Sequence, residues 1–253
     1  MESATTRKYA LIVELLKKLI HNINTYFYDK KVRLLPEIEN GIGAYGQDVF
    51  IAELLGHKKN GVFFDIGAND GITINNSHYF EKNLGWTGVA VEPASHIFEK
   101  LKANRKCHVV QGCVSHQSGT ATFLELVGNA NMYSTLKAHN TGLTARRIRK
   151  RQKRQNSTIK EIEVKCYTFS DLVEKYGFEK VDFLSLDTEG GELEILKSID
   201  FDSTPVSVIS VENNWRTFDI KNYLESCGFI HIGTFDVDEI YLFGGKALSK
   251  AMQ

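Results

Sequence analysis

Hydrophobic and polar positions take up a regular rhythm from Gly61 onward. Short apolar runs that stop at glycine-rich or acidic turns alternate with segments whose apolar residues recur at helical spacing. The runs GVFFDIG, TGVAVE, CHVVQGCV, VDFLSLD and PVSVISVE read as strands covered on both faces. Between them, Asn75 to Asn83, Ala94 to Asn104, Ser170 to Tyr176, Glu192 to Ser198 and Asp219 to Cys227 read as helices, and a shorter helix is predicted over Gln47 to Leu55. SGTATFLEL adds a strand after the turn glycine Gly119, and EIEVKCYTF alternates like a half-exposed strand. FIHIGTFD and EIYLFGG, separated by a short acidic turn, close the chain as an antiparallel pair. Residues 129–158 are polar and basic with no clear strand period. Strands alternating with helices predict an α/β fold with a doubly wound, mostly parallel sheet. Such sheets bind ligands at the carboxyl ends of their strands, so the chemistry is sought there.

Ahead of this rhythm, residues 1–40 read as an N-terminal helical extension and residues 41–253 as the main domain. Ile12, Leu15, Leu16, Leu19, Ile23, Tyr26 and Phe27 follow helical spacing, and Glu14, Lys17 and Lys18 interrupt the apolar run. The segment therefore reads as a helix packing on the domain or on a second subunit, which would make a homo-oligomer, and not as a secretory or membrane-spanning segment. Composition adds little: 42% hydrophobic residues and only three prolines describe an ordinary folded chain. The formal net charge is zero, so no global field points to nucleic acid or acidic membranes. Locally, RRIRKRQKR over Arg146–Arg154 holds seven basic residues in nine. The four cysteines form no C-x-x-C pair, which argues against structural zinc, and they are expected as reduced thiols in a cytoplasmic protein.

The strand ends carry the candidate chemistry. The first ends Asp65-Ile66-Gly67-Ala68-Asn69-Asp70-Gly71, two glycines that allow close backbone approach, flanked by acids. This is not the G-x-G-x-x-G pattern that holds a pyrophosphate. Asp65 and Asp70 would repel a pyrophosphate but suit S-adenosylmethionine, which is cationic and has no phosphate. The second strand ends at Glu92, placed to accept hydrogen bonds from ribose hydroxyls. The third ends Gly112-Cys113-Val114-Ser115, small enough to let an adenine lie against the chain.

The motifs D-I-G-A-N-D-G, G-W-T-G-V-A-V-E-P and F-L-S-L-D-T-E-G-G-E-L-E-I-L, in this order, resemble the FkbM-like family of S-adenosylmethionine-dependent methyltransferases. The resemblance implies a Rossmann-like class I methyltransferase fold, with a seven-stranded sheet and one antiparallel strand. It implies that Asp65, Gly67, Asn69 and Gly71 form the cofactor loop and that Glu92 holds the ribose. Gln47 and Asp48 match a short motif ahead of the family's first strand, read as a flap over the cofactor. Methylation of hydroxyls on sugars and natural products is the activity the family commonly shows.

Asp187 ends the fourth strand, where the transferred methyl lies in this fold class, and Glu189 follows in a glycine-rich loop. Both are candidate catalytic residues, with Asp187 also a cofactor contact. Asp187, Glu212 and Asn213 could offer three oxygen ligands to magnesium or another divalent cation. Among the histidines, His139 and His116 lie in loops and are the best alternative bases. The expected reaction is O-methylation of a carbohydrate or glycan acceptor. Asn131, Tyr133, Ser134 and His139 would meet its hydroxyls, and arginines such as Arg147, Arg149 and Arg151 would pair with a phosphate-bearing carrier. The basic run has no interleaved aromatics for base stacking, which argues against nucleic acid. Two rival readings stay open: an NAD-dependent oxidoreductase or epimerase, and a non-catalytic interaction module that uses the basic run.

Overall fold

The computed structural model describes residues 43, 46–128 and 130–245. The predicted helical extension over 1–40 and the subunit contact expected of it lie outside the described residues, as does Asn129. Along the chain, α1 (Gln47–Leu54) precedes β1 (Val62–Ile66), α2 (His78–Leu84), β2 (Thr87–Glu92), α3 (Ser95–Asn104) and β3 (His108–Gln111). Then come β4 (Cys113–Val114), β5 (Gly119–Val127), β6 (Thr135–Leu136), α4 (Gly142–Arg154) and β7 (Thr158–Tyr167). The last part runs α5 (Phe169–Tyr176), β8 (Val181–Leu186), α6 (Glu192–Ser198), β9 (Val206–Glu212), α7 (Phe218–Ser226), β10 (Phe229–Phe235) and β11 (Asp238–Phe243).

Seven strands make the main sheet in the order β10-β11-β9-β8-β1-β2-β3. Only β11 runs against its neighbours, since it pairs antiparallel with both β10 and β9. This is a Rossmann-like class I methyltransferase fold, doubly wound, with the predicted seven strands and one antiparallel strand. Strand order reverses between β1 and β8, which places a ligand crevice at their carboxyl ends.

Alternation along β1 shows why both faces need helices. Phe63 packs with Phe50 and Ile51 of α1 and with Phe80 and Leu84 of α2. The next residue, Phe64, faces the other way and packs with Leu172 of α5, Leu196 of α6 and Leu224 of α7. Each of these side chains is buried, which contributes about 1.5–3 kcal/mol per large apolar side chain.

Two sequence expectations shift. The helix predicted from Asn75 begins at His78, because the Asn75 side-chain oxygen accepts the N–H groups of Ser77 and His78 (3.0 and 2.8 Å). A side chain that takes over backbone donors in this way keeps its own residue outside the helix. The run CHVVQGCV divides at Gly112. β3 belongs to the main sheet, whereas β4 leaves it to pair with β7 in a second sheet of order β4-β7-β5-β6. The basic run forms α4, of which Ile148 alone is fully buried.

Candidate active site

A cleft of about 730 Å³ opens at the carboxyl ends of β1, β2 and β8. Its floor is main sheet: Ile66 at the end of β1 and Gly67 after it, Val91 and Glu92 of β2, and Asp187 after β8. Its roof is second sheet: Phe123 of β5, Leu136 of β6 and Cys113 and Val114 of β4. Gly67 is obligatory at this crossing. Its φ is +88°, and any Cβ there would collide with the Asp187 carbonyl oxygen. The backbone also bonds across the crossing, with Asp187 N–H donating to Ile66 O (2.9 Å).

Glu92 is buried at the cleft wall and accepts the N–H groups of Asn69 (3.1 Å) and Ala94 (2.9 Å). Burial nonetheless pushes its carboxyl up to about 7, assisted by Glu125 and Asp65 and opposed by those two N–H bonds. Of the residues the sequence nominated for the cofactor, Gly67, Asn69, Glu92, Cys113, Val114 and Asp187 line the cleft.

Asp65, Asp70, Gly71 and Gln47 do not line it, and each has a visible engagement elsewhere. The Asp65 carboxylate accepts from Asn75 Nδ2 (2.7 Å) and Ser77 Oγ (2.6 Å). Asp70 accepts the N–H groups of Ile72 and Thr73 and the Thr73 hydroxyl, closing its own turn. Gly71 makes room for Arg105, whose Cγ lies 2.7 Å from where a Cβ would sit. Arg105 is fully buried and ties the loop together, donating to Gly71 O, Asn75 Oδ1, Ser77 Oγ and Glu81. Gln47 donates to Asp238 (2.7 Å) beneath the site. The two aspartates therefore shape the loop and do not face the cleft, so they are not placed to repel a pyrophosphate there. The acids that face the cleft are Glu92, Asp187 and Glu189.

The loop after β8 is built by Glu192, the first residue of α6. Its Oε1 accepts the N–H of Thr188 (3.0 Å), the Thr188 hydroxyl (2.9 Å) and the N–H of Gly190 (3.0 Å). Held from three sides, Glu189 takes up a left-handed backbone (φ +58°) that non-glycine residues rarely adopt. Its side chain lines the cofactor cleft and also a neighbouring cleft formed by Arg147, Glu212, Asn214 and Trp215. Arg147, reaching in from α4, pairs with Glu189 and lies 3.7 Å from Glu212. Its guanidinium also stacks on Tyr133, as does that of Arg151.

Carboxylate oxygens of Asp187, Glu189 and Glu212 all lie within 4.8 Å of one another. Asp187 is open to the cleft, yet the protein around it screens it from bulk water, and its carboxyl is raised well above the usual range by burial and then by Glu189, Asp238 and Glu192. Glu212 is raised likewise by burial and by Asp187. Glu189 reaches about 7, where burial outweighs the opposing pull of Arg147.

The metal set read from the sequence changes in two ways. Asn213 is turned elsewhere: it donates to Thr217 O (2.8 Å) and Glu239 (3.0 Å) and accepts the Thr217 N–H. Glu189 takes its place beside Asp187 and Glu212, but Arg147 already supplies a cation to Glu189 and Glu212. Three carboxylates are the right chemistry for a hard cation, but as arranged they do not fit one without expelling Arg147. Arg147, a phosphate ligand by the sequence pattern, has carboxylate partners in the structure.

Two histidines were also candidates. His139 lines both clefts, with Nε2 3.4 Å from Glu194 and a buried Nδ1 that has no hydrogen-bond partner among the described residues. His116 is half exposed beside the same Glu194.

These buried acids set an expected pH response. Asp48, Glu92 and Glu189 are raised to about 7 and Asp238 to about 6, each chiefly by burial. In the unfolded chain such groups titrate near 4. The folded state thus binds more protons between about pH 4 and pH 7, so stability falls as pH rises through that window. Asp70 and Glu81 are lowered, and their contribution is lost only below that window. The melting temperature of the unliganded protein should fall by at least about 4 °C from pH 5 to pH 7.5. A flat or rising profile would mean that these carboxyls are ionised and compensated in the fold.

The sequence matches the methyltransferase FkbM domain family over residues 65–231. The chain belongs to that family. A comparison with curated proteins found no match. Among solved structures it is similar to the METTL16 methyltransferase domain, at 16% identity and a TM-score of 0.43, covering 78% of this chain and 65% of that one. The N-terminal domain of human METTL16 in complex with SAH is similar at 16% identity and a TM-score of 0.43, covering 83% and 74%. A methyltransferase from Pyrococcus furiosus follows at 12% identity and a TM-score of 0.38, covering 89% and 98%. The chain thus spans less than two thirds, 65%, of the length of the first of these.

The donor set of this FkbM-family cleft fits the cofactor. The Glu92 carboxylate at the end of β2 would suit the ribose of S-adenosylmethionine, the apolar walls of Val114, Phe123 and Leu136 its adenine, and Asp187 its cationic end. Among the described residues no helix is long and apolar enough to cross a membrane.

Proposed function

We propose that this FkbM-family chain is an S-adenosylmethionine-dependent methyltransferase, that it methylates a hydroxyl of a sugar or glycan, and that Glu189 takes the proton. The observation that carries this reading is the position of Glu189, which lines both the cofactor cleft and the cleft next to it. S-adenosylmethionine, when bound, supplies an electrophilic methyl group. Glu92 would hold its ribose, the Gly67–Asn69 backbone its amino-acid end, Cys113 and Val114 its adenine, and Asp187 its charged end. Asp70, Gly71, Asp65 and Gln47 act one step removed, by fixing the loop and the strand end beneath it.

A saccharide hydroxyl is a weak nucleophile at neutral pH and must lose its proton as the bond to carbon forms. Glu189, with its carboxyl near 7, is matched to that task. Arg147 keeps it from being permanently protonated. Asn131 and His139 line the same region and offer hydrogen bonds to hydroxyls, whereas the Ser134 hydroxyl is engaged with Asn131 O and Leu126 N–H. The cationic surface of α4 favours an acceptor that carries phosphate. Four unpaired cysteines suit a reducing, cytoplasmic setting.

The test is methyl transfer from isotope-labelled cofactor to panels of free and phosphate-linked saccharides, RNA and peptides, with products mapped by mass spectrometry. Label on a saccharide hydroxyl, greater for phosphate-linked acceptors and retained in excess chelator, is the expected result. Label confined to RNA or peptide would overturn the acceptor class, and no turnover on any acceptor would favour the interaction-module reading.

A further inference from the structure

Of the seven cations of α4, Arg149 and Lys153 are exposed and lie off the groove beside Trp215, and the other five divide into two sets. Arg147 and Arg151 are half-buried on Tyr133, and Arg147 is paired with acids. Arg146, Lys150 and Arg154 are exposed and form no ion pair among the described residues. They recur every fourth residue, so they form a row with steps of about 6 Å along one helix face. This row lines a groove whose other members include Asn214, exposed Trp215 and exposed Leu143. In a chain of zero net charge, such an uncompensated row beside a bare indole is a local feature that the fold does not otherwise use. The sequence lacks an aromatic within the basic run; the fold brings one alongside from the loop after β9.

The groove is continuous with the acceptor side of the site. Arg147, Asn214 and Trp215 line both this groove and the cleft that holds Glu189 and Glu212. A ligand lying on the cationic row therefore has one end directed toward the proposed proton acceptor.

We infer that the groove binds a nucleoside diphosphate, the carrier of the saccharide to be methylated. This rests on the reading of the acceptor as a phosphate-bearing sugar and names its carrier. Two adjacent phosphates match consecutive cations of the row, Arg146 and Lys150, and the base lies on the Trp215 indole. Guanidinium groups pair with phosphate oxygens, and indole faces stack with any nucleobase. A lipid diphosphate would meet the same cations but has no ring to stack.

The test uses uridine diphosphate with S-adenosylhomocysteine at saturation, so that the cofactor cleft is filled. The chain has two tryptophans and Trp86 is buried, so quenching of fluorescence reports on Trp215. Uridine diphosphate should quench it and bind by calorimetry. Trp215→Ala should weaken binding about tenfold or more. Arg146→Ala with Lys150→Ala should weaken it about tenfold or more and reduce the salt dependence of what binding remains. Inorganic diphosphate should bind more weakly and be indifferent to Trp215→Ala. Unchanged affinity for S-adenosylhomocysteine in both variants shows that they fold. The inference is overturned if inorganic diphosphate binds as tightly as the nucleotide, if neither binds, or if phosphatidylglycerol vesicles capture the protein while uridine diphosphate does not. Methyl transfer to saccharides in the same preparation separates the two levels. Transfer without nucleotide binding removes the carrier and leaves the acceptor reading intact; loss of transfer to every saccharide removes both.

Discussion

Glu189→Gln is expected to lower the rate of methyl transfer by about 10²–10⁴-fold, the range that a positioned proton acceptor contributes, while cofactor affinity stays close to wild type. The substitution keeps shape and hydrogen-bonding capacity but removes the lone pair that accepts the proton. Glu189 stands between the two clefts, so its loss should fall on the chemical step. Asp187 lines only the cofactor cleft, so Asp187→Asn should weaken S-adenosylhomocysteine binding as well as slow the reaction. Single-turnover transfer and calorimetry separate these effects. If Glu189→Gln stays within about threefold of wild type while His139→Gln loses activity, the proton goes to His139, whose buried Nδ1 lacks a partner at the same junction.

The main sheet was legible because its strands are covered on both faces, and such strands are written as unbroken apolar runs. Phe63, Phe64, Phe183 and Leu184 show this directly. Strand ends followed, since a doubly wound sheet gathers its carboxyl termini on one edge, and that placed Glu92, Asn69 and Asp187 at the cleft. What the sequence could not give was side-chain direction within loops. Asp65, Asp70 and Gly71 sit in the same motif as Gly67 and Asn69, but a buried Arg105 from the end of α3 draws the loop's polar groups toward itself. Nothing local marks Arg105 for this role; its partners Gly71, Asn75, Ser77 and Glu81 lie 24 to 34 residues away. Asn213 was nominated by its position after β9 and is turned away by a turn with Thr217 that only the backbone reveals. The second sheet was legible as strands but not as a roof, because its pairing of β5 with β7 spans the whole of α4. Arg147 was one letter in a basic run, and its inward direction follows from Ile148, whose burial fixes the rotation of the helix.

Arg147→Met gives the sharpest separation between a phosphate ligand and a group that tunes the proton acceptor. Burial raises Glu189, and Arg147 is the first opposing influence. Without the guanidinium, burial and the neighbouring acids act unopposed, so the carboxyl moves above its present value of about 7. The rising limb of the rate against pH should shift upward by about one unit or more, with activity at pH 7 reduced and partly recovered at pH 8.5. Stability should respond with the opposite sign. Below pH 6 the carboxyls of Glu189 and Glu212 take up protons and the loss is small, whereas above pH 8 they must ionise without a partner. Leaving a buried charge unpaired costs about 3–5 kcal/mol, an upper bound here because the Arg147 side chain is 21% exposed and the cluster can hold protons. Arg147→Lys, which keeps the charge but not the fork that reaches both acids, should restore part of the pH profile. If Arg147 served only an acceptor phosphate, Arg147→Met would raise KM, leave the pH profile in place and cost no more stability at pH 8 than at pH 6. The two outcomes differ in direction, so one set of pH-dependent rates and melts decides between them.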